Sequence, residues 1–222
     1  MKKEKIDYNL IEPSTFTIKK KNIYYFFKRI FDFVCSLLAI MILSPLLIII
    51  AMLVKITSKG PIVYVSDRVG KNGKVFKFYK FRSMKVNADK ELEKLMKYNE
   101  TGGITFKMKD DPRITKFGKF LRKTSLDELP QLFNILKGNM SFVGPRPCTK
   151  REYELYSEKD KLRLLVPQGL TGYWQIHGRS TTTFDEMINL DLKYICEKRG
   201  LIYDLFLIIR TPFKLFSHDN AQ

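Results

Sequence analysis

Two neighbouring carboxylates, Asp127 and Glu128, stand in the run TSLDELPQL (124–132), just after the cationic Lys119, Arg122 and Lys123. Adjacent acids can divide labour, one ligating a divalent cation and one attacking phosphorus. Cations and a helix start favour the ionised form of an Asp, which keeps it available as a nucleophile. The same residues also suit a purely structural purpose. Ser125 is a good helix N-cap, Glu128 three residues later completes a capping box, and acids in a first turn complement the helix dipole. The two uses are compatible, since a capped first turn can still present both carboxylates.

A chemistry of phosphate needs cationic donors, and the chain carries 40 Lys and Arg against 23 acids, a formal net charge of +17. That balance calls for a polyanionic partner: nucleic acid, an anionic membrane surface, or small phosphorylated substrates. Arg82, Arg122, Arg146 and Arg179 all lie beside chain breakers or helix ends, and Arg146 stands between two prolines in GPRP. Guanidinium forks so placed suit a pocket for a phosphorylated small molecule. A nucleic-acid groove would instead show repeated Lys/Arg with interleaved aromatics. Neither GxxxxGK[ST] nor GxGxxG occurs. With His177 and His218 as the two histidines, a histidine-rich metal site is excluded and a Ser/His/Asp triad is unfavourable. Cys35, Cys148 and Cys196 are far apart, as reduced thiols on a cytosolic catalytic face would be. Asp110 and Asp111 precede Pro112 and read as turn formers.

The elements that must position these residues begin with Phe33–Val54, 22 residues without a charge. As a helix it would extend roughly 33 Å, enough to cross a bilayer core. It is too long, and too far from the N-terminus, for a cleavable signal. Lys19, Lys20, Lys21, Lys28 and Arg29 precede it, and Lys55, Lys59, Arg68, Lys71 and Lys74 follow. Both flanks therefore carry the cytoplasmic mark. Ser44-Pro45 predicts a sharp bend that returns the chain to the same side, each arm reaching about 15–18 Å. A bitopic anchor kinked at the proline is the alternative.

Beyond Gly60-Pro61, PIVYVSDRVG and KVFKFYKFRSM read as a hairpin turning at Asn72-Gly73, with Phe76, Phe78, Lys80 and Arg82 on one face. Residues 88–100 read as an exposed polar helix. An amphipathic helix follows the Asp111-Pro112 turn to about Arg122, and a second runs from Ser125 until Gly138 ends it. Helices are predicted near 150–165 and in FDEMINLDLKYICEKRG, with the loop VPQGLTGYWQIHGRS between. The segment LIYDLFLIIRTPFKLFSH, broken by Pro212, fits a helix in the membrane interface, and a core helix nearly as well.

The runs RVGKNGKVFKFYKFRSM, DDPRITKFGKFLRKTSLDELPQLFNILKGNMSFVGPRP, GLTGYWQIHGRS and LDLKYI resemble the bacterial sugar transferases known as monotopic phosphoglycosyl transferases, over about residues 24 to 212. The resemblance implies transfer of a phospho-sugar from a UDP-sugar to polyprenyl (undecaprenyl) phosphate, with release of UMP, to start a surface glycan. It implies that Asp127 attacks the β-phosphate to form a phosphoglycosyl-aspartate, and that Glu128, with Asp127, holds Mg²⁺. Arg122, Arg146 and Arg179 match basic residues near the phosphates, with Lys80 and Arg82 as weaker matches. It also implies a re-entrant membrane helix bent at Ser44-Pro45 and a place on the cytoplasmic face of the bacterial plasma membrane.

The expected fold is α+β: a basic N-terminal segment (1–22), a re-entrant helix-break-helix (23–59), and a cytosolic catalytic part (60–222). That part is compact and helical, with a β-hairpin and interfacial amphipathic helices. Larger relatives carry additional N-terminal membrane helices, so this chain resembles the minimal form. The expected partners are a UDP-sugar, polyprenyl phosphate and anionic lipid, without nucleic acid; a homo-oligomer is left open. Transfer of the sugar alone with release of UDP, and a non-enzymatic basic adaptor, stay as alternatives.

Overall fold

A computed structural model describes residues 11–14, 16–19, 21–100, 104, 106, 108–178 and 182–216. It is a mixed α+β structure built against one long apolar helix, α1 (Asn22–Thr57). Buried positions Lys28, Asp32, Ser36, Ile50 and Val54 recur at helical spacing. Ala39, Ile40, Leu43, Leu47 and Ala51 pack along the same stripe against the core. The opposite face leaves Ile23, Ile30, Met41, Ile42, Ile48 and Ile56 exposed. One side of α1 thus lies on protein throughout its length, and the other presents hydrocarbon.

The predicted break at Ser44-Pro45 is not seen as an interruption, for α1 continues through Pro45. Proline has no N–H to give the carbonyl of Met41, four residues back. Ser44 Oγ donates to that carbonyl at 2.8 Å, replacing the lost bond with a side-chain one. Charged groups tie the two ends of α1 to the rest of the chain. Lys28 Nζ lies 2.5 Å from Asp204 Oδ2. Arg29 donates to the carbonyls of Ile135 and Leu136, both at 2.8 Å. At the other end Arg82 donates to Ser58 O and Ser58 Oγ, each at 2.8 Å, and to Lys59 O.

The hairpin forms as expected: β1 (Val63–Val69) pairs antiparallel with β2 (Val75–Phe81), Val63 opposite Phe81 and Val69 opposite Val75. Asn72 (φ 56°) and Gly73 (φ 75°) take the left-handed backbone that an Asn-Gly turn supplies. The polar stretch after it is helical only in pieces, with α2 (Leu92–Leu95) between short 3₁₀ turns. Next comes α3 (Lys116–Lys123), capped by Thr115 Oγ1, which accepts from Gly118 N at 2.9 Å.

The helix predicted from Ser125 is divided. Leu126–Glu128 form a 3₁₀ turn, and α4 (Gln131–Leu136) starts only after Pro130 and ends at Gly138 with φ 82°. β3 (Ser141–Val143) pairs in parallel with β5 (Gly169–Thr171), while β4 (Cys148–Thr149) adds to the free edge of β1. Runs of two or three residues carry no period-two pattern, so these strands were not legible beforehand.

α5 (Lys150–Glu154), α6 (Glu158–Lys161), α7 (Tyr173–His177) and α8 (Phe184–Lys193) follow. α9 (Leu201–Phe216) passes through Pro212 without the predicted break. α9 buries Asp204 and Leu207 and exposes Ile202, Ile209 and Phe213. Behind these helices Arg163 Nη2 lies 2.6 Å from Asp191 Oδ2, both side chains fully buried in the core of Ile188, Leu192, Tyr194 and Ile195.

One glycine holds α3 to the hairpin. A Cβ on Gly118 would lie 1.9 Å from Ser83 O, a backbone atom that cannot swing aside. Gly118→Ala is therefore expected to destabilise the fold by about 2–3 kcal/mol, read as a lower melting temperature in detergent or nanodiscs. An unchanged melting temperature would show that the two backbones can separate at no cost.

Candidate active site

Asp127 and Glu128 are presented by the 3₁₀ turn that follows Ser125, whose backbone is left-handed at φ 55°. The expected capping box does not form, and the backbone explains why. Ser125 N already donates to Arg122 O at 3.1 Å, so a Glu128 reaching back would find its donor taken. Glu128 turns instead to β2, where Lys80 Nζ donates to its Oε1 at 2.6 Å. The same ammonium lies 3.9 Å from Asp127 Oδ2. Asp127 is 4% exposed, and the Glu128 side chain is more open at 27%.

Their electrostatics diverge. Burial pushes the Asp127 carboxyl above the usual range and Glu128 adds to this, while Lys80, Arg122 and Arg146 oppose it. Burial also works against the charged form of Glu128, but Lys80 and Arg146 outweigh it and its pKa is lowered. Carboxyls driven apart in this way take different roles. Glu128 is the settled anion. Asp127 is the costly one.

Arg146 projects, exposed, between the buried Pro145 and Pro147. Its loop is pinned to β5, where Gly169 N donates to Pro145 O and Gly144 N to Thr171 O, each at 2.9 Å. The structure thus gathers Lys80, Arg122 and Arg146 around the dyad. Arg82, expected near the phosphates, is put to another use: at 5% exposed, it spends its guanidinium on the carbonyl end of α1. Arg179 lies outside the described residues. Ser44 and Pro45 belong to α1.

Asp111 accepts from Arg113 Nη2 at 2.6 Å and from Arg113 N at 3.0 Å, closing the predicted turn. Among the described residues no group of three or more His, Cys, Asp or Glu gathers as a metal cage. Two hard carboxylates close to Lys80 nevertheless suit Mg²⁺, which is commonly held by one or two carboxylates together with substrate phosphates.

Sequence reasoning missed Phe78 and Arg68 as neighbours of the site. Lys80 Nζ lies 5.6 Å and the Arg68 guanidinium 5.2 Å from the centre of the Phe78 ring. The signal was available. With the turn at Asn72-Gly73, Arg68 falls opposite Phe76 and shares the face of Phe78 and Lys80.

Residues 23–218 match the family model described as Bacterial sugar transferase. The chain is 47% identical over 171 residues to the Streptococcus agalactiae protein named galactosyl transferase CpsE, covering 77% of this chain and 38% of that one. It is 42% identical over 201 residues to the Salmonella typhimurium undecaprenyl-phosphate galactose phosphotransferase, covering 88% and 42%. With the exopolysaccharide production protein ExoY of Sinorhizobium fredii it shares 43% identity over 188 residues, 83% of each chain. The chain therefore spans about two fifths of the first two relatives and most of the third.

A carboxyl whose folded pKa is raised above its unfolded value stabilises the fold at low pH and loses that contribution as pH rises through the folded pKa. Asp127 is such a group, so at neutral pH its charge burdens the fold. Asp127→Asn should raise the melting temperature at pH 7 by on the order of 2–4 °C, with the gain shrinking toward pH 4. A lower melting temperature at pH 7 would show that Asp127 is a stabilising ion-pair partner instead.

Proposed function

This chain belongs to the bacterial sugar transferase family, and from that premise we propose that it moves a phospho-sugar from a UDP-sugar to polyprenyl phosphate, releasing UMP. The observation that carries this reading is a nearly buried Asp127 in the field of Lys80, Arg122 and Arg146. The substrate class is supported by the name of the Salmonella typhimurium relative, which acts on undecaprenyl phosphate. A carboxylate oxygen of Asp127 attacks the β-phosphorus of the donor. The bond from that phosphorus to the bridging oxygen breaks, and UMP leaves with the electron pair. The phosphate of the polyprenyl acceptor then attacks the phosphoglycosyl-aspartate, returning the carboxylate and giving a polyprenyl-diphosphate sugar.

Lys80, Arg122 and Arg146 neutralise phosphate oxygens that would otherwise repel an anionic nucleophile. Glu128, with Asp127, would hold Mg²⁺, which when bound supplies further charge neutralisation. The raised pKa of Asp127 reflects poor solvation of its anion, a state relieved on bonding to phosphorus.

The membrane placement we propose is monotopic, on the cytoplasmic face, with α1 entering and leaving on one side and α9 in the interface. Support comes from the ties at both ends of α1, Lys28 to Asp204 and Ser58 to Arg82, which join it to one body of chain. Anionic headgroups would meet the lysines beside those ends, Lys55 and Lys59 among them.

Purified protein incubated with Mg²⁺ and a panel of UDP-sugars, without acceptor, is expected to gain the mass of one phospho-sugar and release UMP; Asp127→Asn should gain none. Release of UDP with no adduct would establish sugar transfer alone. On a cysteine-free background, Lys21→Cys and Lys59→Cys should both react with a membrane-impermeant thiol reagent from the cytosolic side only. Labelling of the two from opposite sides would sink the monotopic placement.

A further inference from the structure

Arg68 is the cation near the site that the reaction just described does not use. It lies on β1, its side chain 15% exposed, with the guanidinium on the face of the Phe78 ring that also neighbours Lys80. Its partners are weak. Nη1 reaches Pro147 O, in the loop that carries Arg146, at 3.4 Å. The carboxylate beside it, Glu152, stands off at 3.9 Å. That carboxylate is already committed, because Glu152 Oε2 accepts from Thr149 N at 2.7 Å to cap α5. Arg68 Nε is buried without a hydrogen-bond partner among the described residues.

A second guanidinium is close by. Burial, and after it the charge of Arg146, hold the Arg68 pKa below its usual value. Two arginines that repel each other, one with an idle buried N–H and its nearest carboxylate 3.9 Å away, make a poor structural ion pair. They make a good fork for an anion with several oxygens.

We propose that Arg68 and Arg146 together form a second phosphate subsite, adjoining the one where Asp127 attacks. This rests on the phosphoglycosyl transfer reading, in which two phosphates must lie side by side at each half-reaction. The ligand chemistry is a phosphate monoester, presented either by the departing nucleotide or by the lipid acceptor.

The test is equilibrium binding to the full chain in nanodiscs, without turnover, using UMP and farnesyl phosphate as separate probes. Arg68→Gln is expected to weaken binding of at least one by about 10- to 100-fold. Arg68→Lys, which keeps the charge without the fork, should restore part of the affinity. Loss confined to UMP assigns the subsite to the departing nucleotide, and loss confined to farnesyl phosphate assigns it to the acceptor. The ligand-free melting temperature of Arg68→Gln should equal or exceed that of the parent, since an ill-paired buried cation is removed. Unchanged affinity for both probes overturns the proposal, as does a lowered ligand-free melting temperature with unchanged affinity. Because binding is read without chemistry, failure of the covalent mechanism and failure of this subsite are separate results.

Discussion

One ammonium group permits everything else at this site. A carboxylate 4% exposed to solvent has lost most of its hydration, and without the neighbouring cation burial would push its pKa higher still. Lys80 stands 2.6 Å from Glu128 and 3.9 Å from Asp127, so its charge is spent mainly on the more open acid. Glu128 is satisfied by that arrangement and Asp127 only partly. A closer Lys80 would lower the Asp127 pKa, and a more distant one would let burial raise it further. The 3₁₀ turn after Ser125 sets this asymmetry, because a regular helix from Ser125 would point Glu128 back at the backbone.

The turn is held by a frame whose main beam is α1. Arg29 covers the last carbonyls of α4, Asp32 accepts from Ser141 Oγ and Phe142 N beside β3, and Ile50 and Val54 pack with Phe81 and Leu121. Each of these contacts joins the apolar helix to an element that flanks the dyad or its arginines. The apolar helix is therefore part of the scaffold of the candidate site and more than a tether. Along the stripe Lys28, Arg29 and Asp32 find partners on the protein side, and Ser36 donates to Phe33 O within α1, which leaves the opposite face apolar.

What the sequence revealed, and what it hid, follows from how far each signal reaches. The hairpin was legible because Asn72-Gly73 is a local turn with alternating residues on both sides. The dyad and Arg146 were legible because acids among cations and an arginine between prolines are rare local patterns. The role of Arg82 was hidden, since its partners at Ser58 and Lys59 lie across a fold contact that no spacing encodes. The capping box failed because a local rule lost to a long-range partner, Lys80, which lies 48 residues upstream. At Pro45 a local rule met a local answer. Its neighbour Ser44 repaired the hydrogen bond that a proline normally destroys.

The spacing of Lys80 and Arg82 has one more consequence. Both stand on the same face of one chain segment, about 7 Å apart as alternate strand residues are. Arg82 is fastened where the apolar helix ends, so in the proposed monotopic placement the two carboxylates would be held at a set height above the hydrocarbon. Chemistry confined to such a layer is two-dimensional. The lipid-borne acceptor proposed above would arrive by lateral diffusion within the bilayer, and what would govern encounter is its density per unit of membrane area. In the proposed reaction the soluble donor alone would obey ordinary bulk concentration, so donor and acceptor would answer to different measures of supply.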